Sequence, residues 1–417
     1  MSHIGLTAAG SSVQQEPVVG TQRPQAAPIT LDVDHARIQV TQPPPDSGSP
    51  RGRIGPTVAA VRAAPEFIRG MPKAELHVHH LGSAPPETLV RLARRSPHLP
   101  LPTDPALLAD HFRIVDLTTF LAAYKSIVDL VRTPDDVYAV TVAIARRMAA
   151  QNIRYAEITV SPYSSVKRGV PAGAFVEALE AARSAAERTD AITLRWIFDI
   201  PSPEPEAAEQ TLEIALGLQP PGLVALGLAG LETGRRRFEP HFRRARASGL
   251  RSVPHAGEAL GPASVWDALG PLGADRVGHA TSAVRDERLL DHLAARQVPV
   301  EVCLTSNLTT GVVRALADHP LRTMAERGLL VTVNTDDPTL FATDLSAEYL
   351  LAAGLLDLDE EGVARLARNA IQASFAPDPV RAALARELDA YVAAWPGSPQ
   401  ASGSAARVES SGGGQAP

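Results

Sequence analysis

Eight short β-prone runs alternate with longer helical patterns through most of the chain, and this alternation is the strongest limit on its fold. The runs fall at 74–79, 153–161, 192–200, 223–229, 251–255, 276–279, 299–305 and 330–336. Between them, Ala/Leu/Arg-rich stretches with helical spacing occupy 134–150, 172–188, 204–218, 239–247, 263–269 and 287–295. Strands joined through helices pair in parallel, because only a crossover that long returns the chain to the same end of a sheet. Eight such units predict closure into an α/β fold of the (β/α)8 TIM-barrel type. The segment 105–132 interrupts the alternation after the first strand and reads as extra helices, with Phe120, Tyr124 and Ile127 at helical spacing. Two more helices are expected at 359–374 and 380–393.

The flanks have a different character. Residues 1–64 are rich in Pro, Gln, Ser, Gly and Thr without period, as in Gln42-Pro43-Pro44-Pro45-Asp46-Ser47-Gly48-Ser49-Pro50, and are expected to be a disordered tail. Residues 396–417 form a second such tail, leaving 65–395 as one barrel domain. Met71 is an alternative start, which mass spectrometry of the native N-terminus would test. At 45% hydrophobic and 21% charged, the chain has enough apolar residues for a large core. The net charge of -6 and the lack of a long basic block argue against nucleic acid as a partner. The short cluster Arg235-Arg236-Arg237 reads as a solvated loop. A single cysteine, Cys303, permits neither an internal disulfide nor a cysteine-rich zinc site, and suits a reducing cytoplasm. No signal-peptide pattern or membrane-length apolar run is present, so a membrane is not an expected partner.

Polar residues collect where the strands end. His77 and His79 close the first run, in Glu75-Leu76-His77-Val78-His79; His255 closes the fifth, with Glu258 three residues on. His279 closes the sixth, and Asp336 and Asp337 close the eighth. In a (β/α)8 enzyme the active site lies at the C-terminal ends of the strands, so all seven share one rim. Residues two apart on a strand point the same way, so His77 and His79 can hold one ion together. A third imidazole from His255 and a carboxylate from Asp336 complete a nitrogen/oxygen set that suits Zn2+ best, with manganese, iron or cobalt as other occupants. Water on such an ion titrates near neutrality and supplies hydroxide. Singly these features are weak: a His-x-His pair is common, and Asp-Asp before Pro338 is ordinary turn chemistry. In this order, at these strand ends, they read as one site.

With these residues in hand, the chain resembles the adenosine/AMP deaminase family of metal-dependent amidohydrolases over 72–375. The similarity is carried by Pro72-Lys73-Ala74-Glu75-Leu76-His77-Val78-His79, His255-Ala256-Gly257-Glu258, Val277-Gly278-His279, Thr305-Ser306-Asn307 and Thr335-Asp336-Asp337-Pro338. The resemblance implies a zinc-dependent hydrolytic deaminase acting on a small-molecule adenine nucleoside, releasing ammonia from C6. It implies His77, His79, His255 and Asp336 as metal ligands and Glu258 as the acid that protonates purine N1. His279 would orient the attacking water, Asp337 would meet N7, and the backbone N–H of Gly230 would meet N3. The other zinc deaminase class needs a Pro-Cys-x-x-Cys motif, which a one-cysteine chain lacks.

The chain departs from the family after His79. Where the family usually continues Leu-Asp/Glu-Gly, this sequence has His80-Leu81-Gly82-Ser83. The missing acid recognises the ribose 5′-hydroxyl in the family, and a hydroxyl left without a buried partner costs about 1–3 kcal/mol. Leu81 therefore suits a substrate with an extended, less polar 5′ end. The rim segment Ser161-Pro162-Tyr163-Ser164-Ser165-Val166-Lys167-Arg168-Gly169 offers Ser164, Lys167 and Arg168 to a distant carboxylate, or stands as a solvated loop. The His-Val-His-His-x-Gly-Ser variant is similar to the aminodeoxyfutalosine deaminases of the futalosine route to menaquinone. Their substrate, 6-amino-6-deoxyfutalosine, carries a carboxyphenyl-ketone extension at the ribose 5′ end, which fits both departures. Ala280 after His279 and Leu304 before Thr305 are smaller departures in loops. His80 is expected to pack beside the site, Cys303 to be a small core residue, and Phe120 and Tyr124 either to cover the rim as a lid or to pack as an ordinary helix.

Other readings stay open on the sequence. Within the family, the substrate could be adenosine or another 5′-modified adenosine. A two-metal hydrolase on the same barrel needs a bridging acid or lysine, whereas strand four ends in Leu228-Ala229-Gly230. A non-catalytic nucleoside-binding barrel would have no use for the complete ligand set and Glu258.

Overall fold

The structure, a computed structural model, describes residues 29–32, 37–40, 61–204 and 206–396. Its sheet has eight parallel strands in sequential order. We label them β1 Lys73–His79, β2 Ile153–Val160, β3 Thr193–Ser202, β4 Leu223–Gly230, β5 Arg251–Ala256, β6 Val277–His279, β7 Val300–Val302 and β8 Val331–Val333. The circle is completed by a bridge from Val78 to Asp336: Asp336 N–H donates to the His77 carbonyl at 3.0 Å, and His79 N–H donates to the Asp336 carbonyl at 2.8 Å. The expected (β/α)8 barrel is thus the observed fold, and its closure fixes the Asp336 backbone against the His77/His79 strand.

Local sequence explains the crossover helices. Pro134–Ala150 begins with Pro in its first turn and a reciprocal Thr133/Asp136 capping box, then buries Val137, Val140, Ile144 and Met148 at helical spacing. The helices expected at 359–374 and 380–393 are Glu360–Ala373 and Asp378–Ala394. No described helix is long and apolar enough to cross a membrane. Inside the barrel, Ile197, Ala225 and Val253 form an apolar layer with Phe375 packed on it. Buried Arg276 lies with its guanidinium 3.9 Å from the Phe375 ring and bridges Glu301 (2.6 Å) and Glu157 (2.5 Å). This ion triad is buried with its hydrogen bonds made, the condition under which interior charge is tolerated.

Three local expectations change. The seventh strand stops at Val302 instead of running to 305, because Leu304–Thr309 turns helical and Thr305 N–H donates to Glu348 at 3.1 Å. The eighth stops at Val333, and Asp336 has a left-handed backbone with φ 65°. Arg235 is not part of a solvated loop: it is 2% exposed, at the start of a short turn of helix Arg235–Phe238, while Arg236 faces solvent. The tails expected at 1–64 and 396–417 lie outside the described residues almost entirely. Within the first, Ile29–Asp32 and Arg37–Val40 pair as a short antiparallel ribbon.

Candidate active site

Four strand ends, those of β1, β5, β6 and β8, deliver the expected rim residues to one place. The ligating atoms of His77, His79, His255 and Asp336 lie within 4.8 Å of one another. His79 Nε2 is 3.1 Å from His255 Nε2 and 3.2 Å from Asp336 Oδ1, and His77 Nε2 is 3.5 Å from the same oxygen. A tetrahedral ion with ligands about 2.0–2.1 Å away spaces those ligands by about 3.4 Å. His77 Nε2 is buried without a hydrogen-bond partner, as a nitrogen directed at an ion would be. These residues fit a divalent cation.

The surroundings hold the ligands in place. Glu301 binds His77 Nδ1 at 2.8 Å, which leaves Nε2 as the free nitrogen, and Glu301 is itself anchored by Arg276. Ser306 Oγ donates to Asp336 Oδ2 at 2.7 Å. Gly278 is obligatory beside them, since a Cβ there would approach His77 Cε1 to 2.8 Å. Charge follows the same plan. Burial opposes a proton on His77, but Asp336 and Glu301 outweigh it and raise its pKa to about 10. Burial likewise opposes a proton on His79, yet Asp337 and Asp336 raise its pKa to about 9. The acids therefore favour positive charge at the centre of the cluster, of the kind a divalent cation would supply.

The acid–base groups stand beside this cluster. Glu258 Oε2 is 3.7 Å from His279 Nε2, and His279 Nε2 is 3.9 Å from Asp336 Oδ2. Burial, with Asp336 and Glu232 nearby, lifts the Glu258 pKa to about 8, so the carboxyl keeps its proton at neutral pH. Burial pushes His279 down to about 4, leaving a neutral ring. Asn307 lies 3.2 Å from His279 Nδ1, and His319 in turn 3.2 Å from Asn307 Oδ1. His279 has φ 62°, a strained backbone held at a position the site uses. Both Asp337 oxygens are buried without partners, and Gly82 makes room for them, since its Cβ would fall 1.6 Å from Oδ1.

A sequence profile described as adenosine deaminase matches residues 72–391. The chain belongs to the adenosine deaminase family. It is 52% identical to the aminodeoxyfutalosine deaminase of Streptomyces avermitilis, over 79% of this chain and 93% of that protein. The adenine deaminase of Arthrobacter aurescens superposes with a TM-score of 0.74 at 32% identity, covering 78% of this chain and all (100%) of that one. An amidohydrolase from Burkholderia ambifaria, solved with zinc bound, superposes with a TM-score of 0.73 at 27% identity, over 82% and 96% of the two chains. The protein is therefore a hydrolytic deaminase of a metal-dependent family, with a three-histidine, one-aspartate cluster at its barrel rim.

The remaining expected residues of the deaminase spread around the mouth. Gly230 ends β4 with φ 78°, exposed at the rim. Leu81 is 7% exposed beneath the extra helix Leu117–Val128. From that helix Tyr124 approaches His79, ring to ring at 6.3 Å, and Phe120 stacks on Phe341 at 5.1 Å. Ser164 is half-buried and its carbonyl accepts from Arg168, whose Nε donates to Asp129 at 2.7 Å, tying the segment after β2 to the end of the extra helix. Lys167 donates to Glu204 at 2.7 Å and stays half exposed. The two cations thus have protein partners already. His80 is buried against Thr141 Oγ1 at 2.7 Å, away from the ligands. Cys303 is buried, and its thiol also comes near His279 and Asp336.

Several functional groups escaped sequence reasoning. Glu301 sits in Val300-Glu301-Val302, where alternation makes an acid look solvent-facing, yet it is the anchor of His77. Glu232 accepts from the backbone N–H groups of Gly257 (2.9 Å), Glu258 (2.7 Å) and Ala259 (2.8 Å) and from Ser264 (2.6 Å), and so shapes the loop that carries Glu258. Its only signal was an acid just after the Leu-Ala-Gly end of β4. Asp199 and Arg235 are buried near the site and gave no signal.

Proposed function

We propose that this deaminase hydrolyses the 6-amino group of an adenine nucleoside, with zinc as its metal, and that its preferred substrate is 6-amino-6-deoxyfutalosine, in menaquinone formation. The observation that carries the deamination reading is the Glu258 carboxyl placed beside His279 and the metal cluster, where burial favours its protonated form. His77, His79, His255 and Asp336 would hold a divalent cation, whose chemistry there would be to make water a stronger acid near neutrality. Glu258 donates its proton to N1 and makes C6 electron-poor. His279 orients the attacking water, Asp337 meets N7, and the Gly230 N–H donates to N3. Helix Leu117–Val128, through Tyr124, shields the reacting face from bulk water.

Two features support the 5′-extended substrate. Leu81 is buried where the family's acid would meet a 5′-hydroxyl. The relative at 52% identity is an aminodeoxyfutalosine deaminase. At the outer end, Ser164, Arg168 and half-exposed Lys167 line the path of the extension, and Lys167 can exchange its Glu204 partner for a substrate carboxylate. Steady-state rates of ammonia release from aminodeoxyfutalosine, adenosine and adenine test the reading. The highest kcat/KM is expected for aminodeoxyfutalosine; a clear preference for adenosine or adenine would remove it.

A further inference from the structure

Asp199 and Arg235 are each 2% exposed, and each leaves polar atoms unpaired. Asp199 Oδ1 has no hydrogen-bond partner, and Oδ2 receives only a long 3.4 Å bond from Ser161 Oγ. Arg235 Nε and Nη1 have no partner, and Nη2 makes only a 3.4 Å bond to the Gly230 carbonyl. The two charges act on each other; Asp199 also feels His79 and His77, and Arg235 feels Glu258. Buried charge left unpaired is among the most destabilising arrangements in a protein, so such a pair calls for a third party.

Their placement says where that party sits. Asp199 shares a strand face with Ile197, which belongs to the inner apolar layer with Ala225 and Val253. Asp199 is therefore one layer nearer the C-terminal rim, facing the barrel axis. Gly227 is its register partner on β4, and a Cβ there would come within 3.1 Å of Asp199 Oδ1, so the missing side chain gives the carboxylate room. Arg235 opens the turn after β4 and binds the carbonyl of Gly230.

We infer that Asp199 and Arg235 are the sugar-recognising end of this site, Asp199 Oδ1 accepting from a ribose hydroxyl and Arg235 donating to a ribose oxygen. The inference rests on the nucleoside reading above. With N1 at Glu258, N3 at Gly230 and N7 at Asp337, the covalent frame of a purine puts N9 on the edge between N3 and N7, far from C6. The sugar leaves the ring along the Gly230 side, where the pair lies. A hydroxyl both donates and accepts, so vicinal hydroxyls match an acid beside a guanidinium. A carboxylate would suit Arg235 but be repelled by Asp199, and a free base brings no group to either.

The test uses the full-length zinc-loaded enzyme as wild type, Asp199→Asn and Arg235→Met. Calorimetry measures binding of inosine, 2′-deoxyinosine and 3′-deoxyinosine, with ammonia release from the matching adenine nucleosides alongside. The wild type is expected to bind inosine about 10-fold or more tightly than at least one deoxy analogue, the effect of one buried charge-assisted bond. That ratio should fall toward one in either variant, with zinc content retained. A wild-type ratio near one, or a ratio that survives in both variants while affinity for all three ligands drops together, would overturn the inference. If neither these nucleosides nor aminodeoxyfutalosine releases ammonia while the binding ratios behave as expected, the deaminase substrate is wrong and the sugar site stands.

Discussion

Glu258 does its proposed work only because its surroundings change its chemistry. An exposed glutamate is ionised at neutral pH, but burial beside Asp336 and Glu232 lifts this one to about 8. The sign follows: the acid is protonated below that value and loses its proton as pH rises through it, so kcat should fall on the alkaline side of about pH 8. Glu258→Gln should keep zinc yet lose about 100-fold or more in kcat, the usual contribution of a positioned acid. Metal analysis with single-turnover ammonia release would check both, and undiminished turnover would remove the acid role. Residue types and spacing sufficed to single out the seven rim residues, because strand parity carries His77 and His79 to one side and strand ends share one rim. Glu301 and Arg235 could not be read that way. Glu301 owes its role to His77, 224 residues away in sequence, and Arg235 is buried by the turn that folds it back onto the Gly230 carbonyl.

At the scale of elements, the Glu157–Arg276–Glu301 triad links three strands or their margins and reaches the site through His77. Removing the cation leaves two buried carboxylates without their counter-ion. Arg276→Met should therefore cost about 3–5 kcal/mol of unfolding free energy, the range for breaking a buried pair. Urea unfolding measures it, and a variant as stable as wild type would show that the triad contributes nothing net. The strand–helix alternation was legible because each element has its own period, and capping signals such as Thr133 with Asp136 set helix starts closely. The ends of β7 and β8 were not. There the chain leaves the sheet to bond with Glu348 and to place Asp336 in a left-handed turn, and neither event has a local sequence signature.

Across the whole molecule, an ion held by the cluster would join strands β1 and β5 to the turn after β8, and Asp336 completes the barrel against β1. An ion that binds only the folded state stabilises it by mass action, about 2.7 kcal/mol when free metal is 100-fold above its Kd. The metal-free protein should thus melt at lower temperature and recover with added zinc; equal melting temperatures would mean that the cluster does not bind the ion as drawn. Metal content measured against ammonia release, on one sample taken through chelation and repletion, tests the metal dependence of turnover itself. One equivalent of metal per chain is expected, with no turnover after its removal and recovery in proportion to the zinc restored. Full turnover from protein carrying no metal would contradict that dependence.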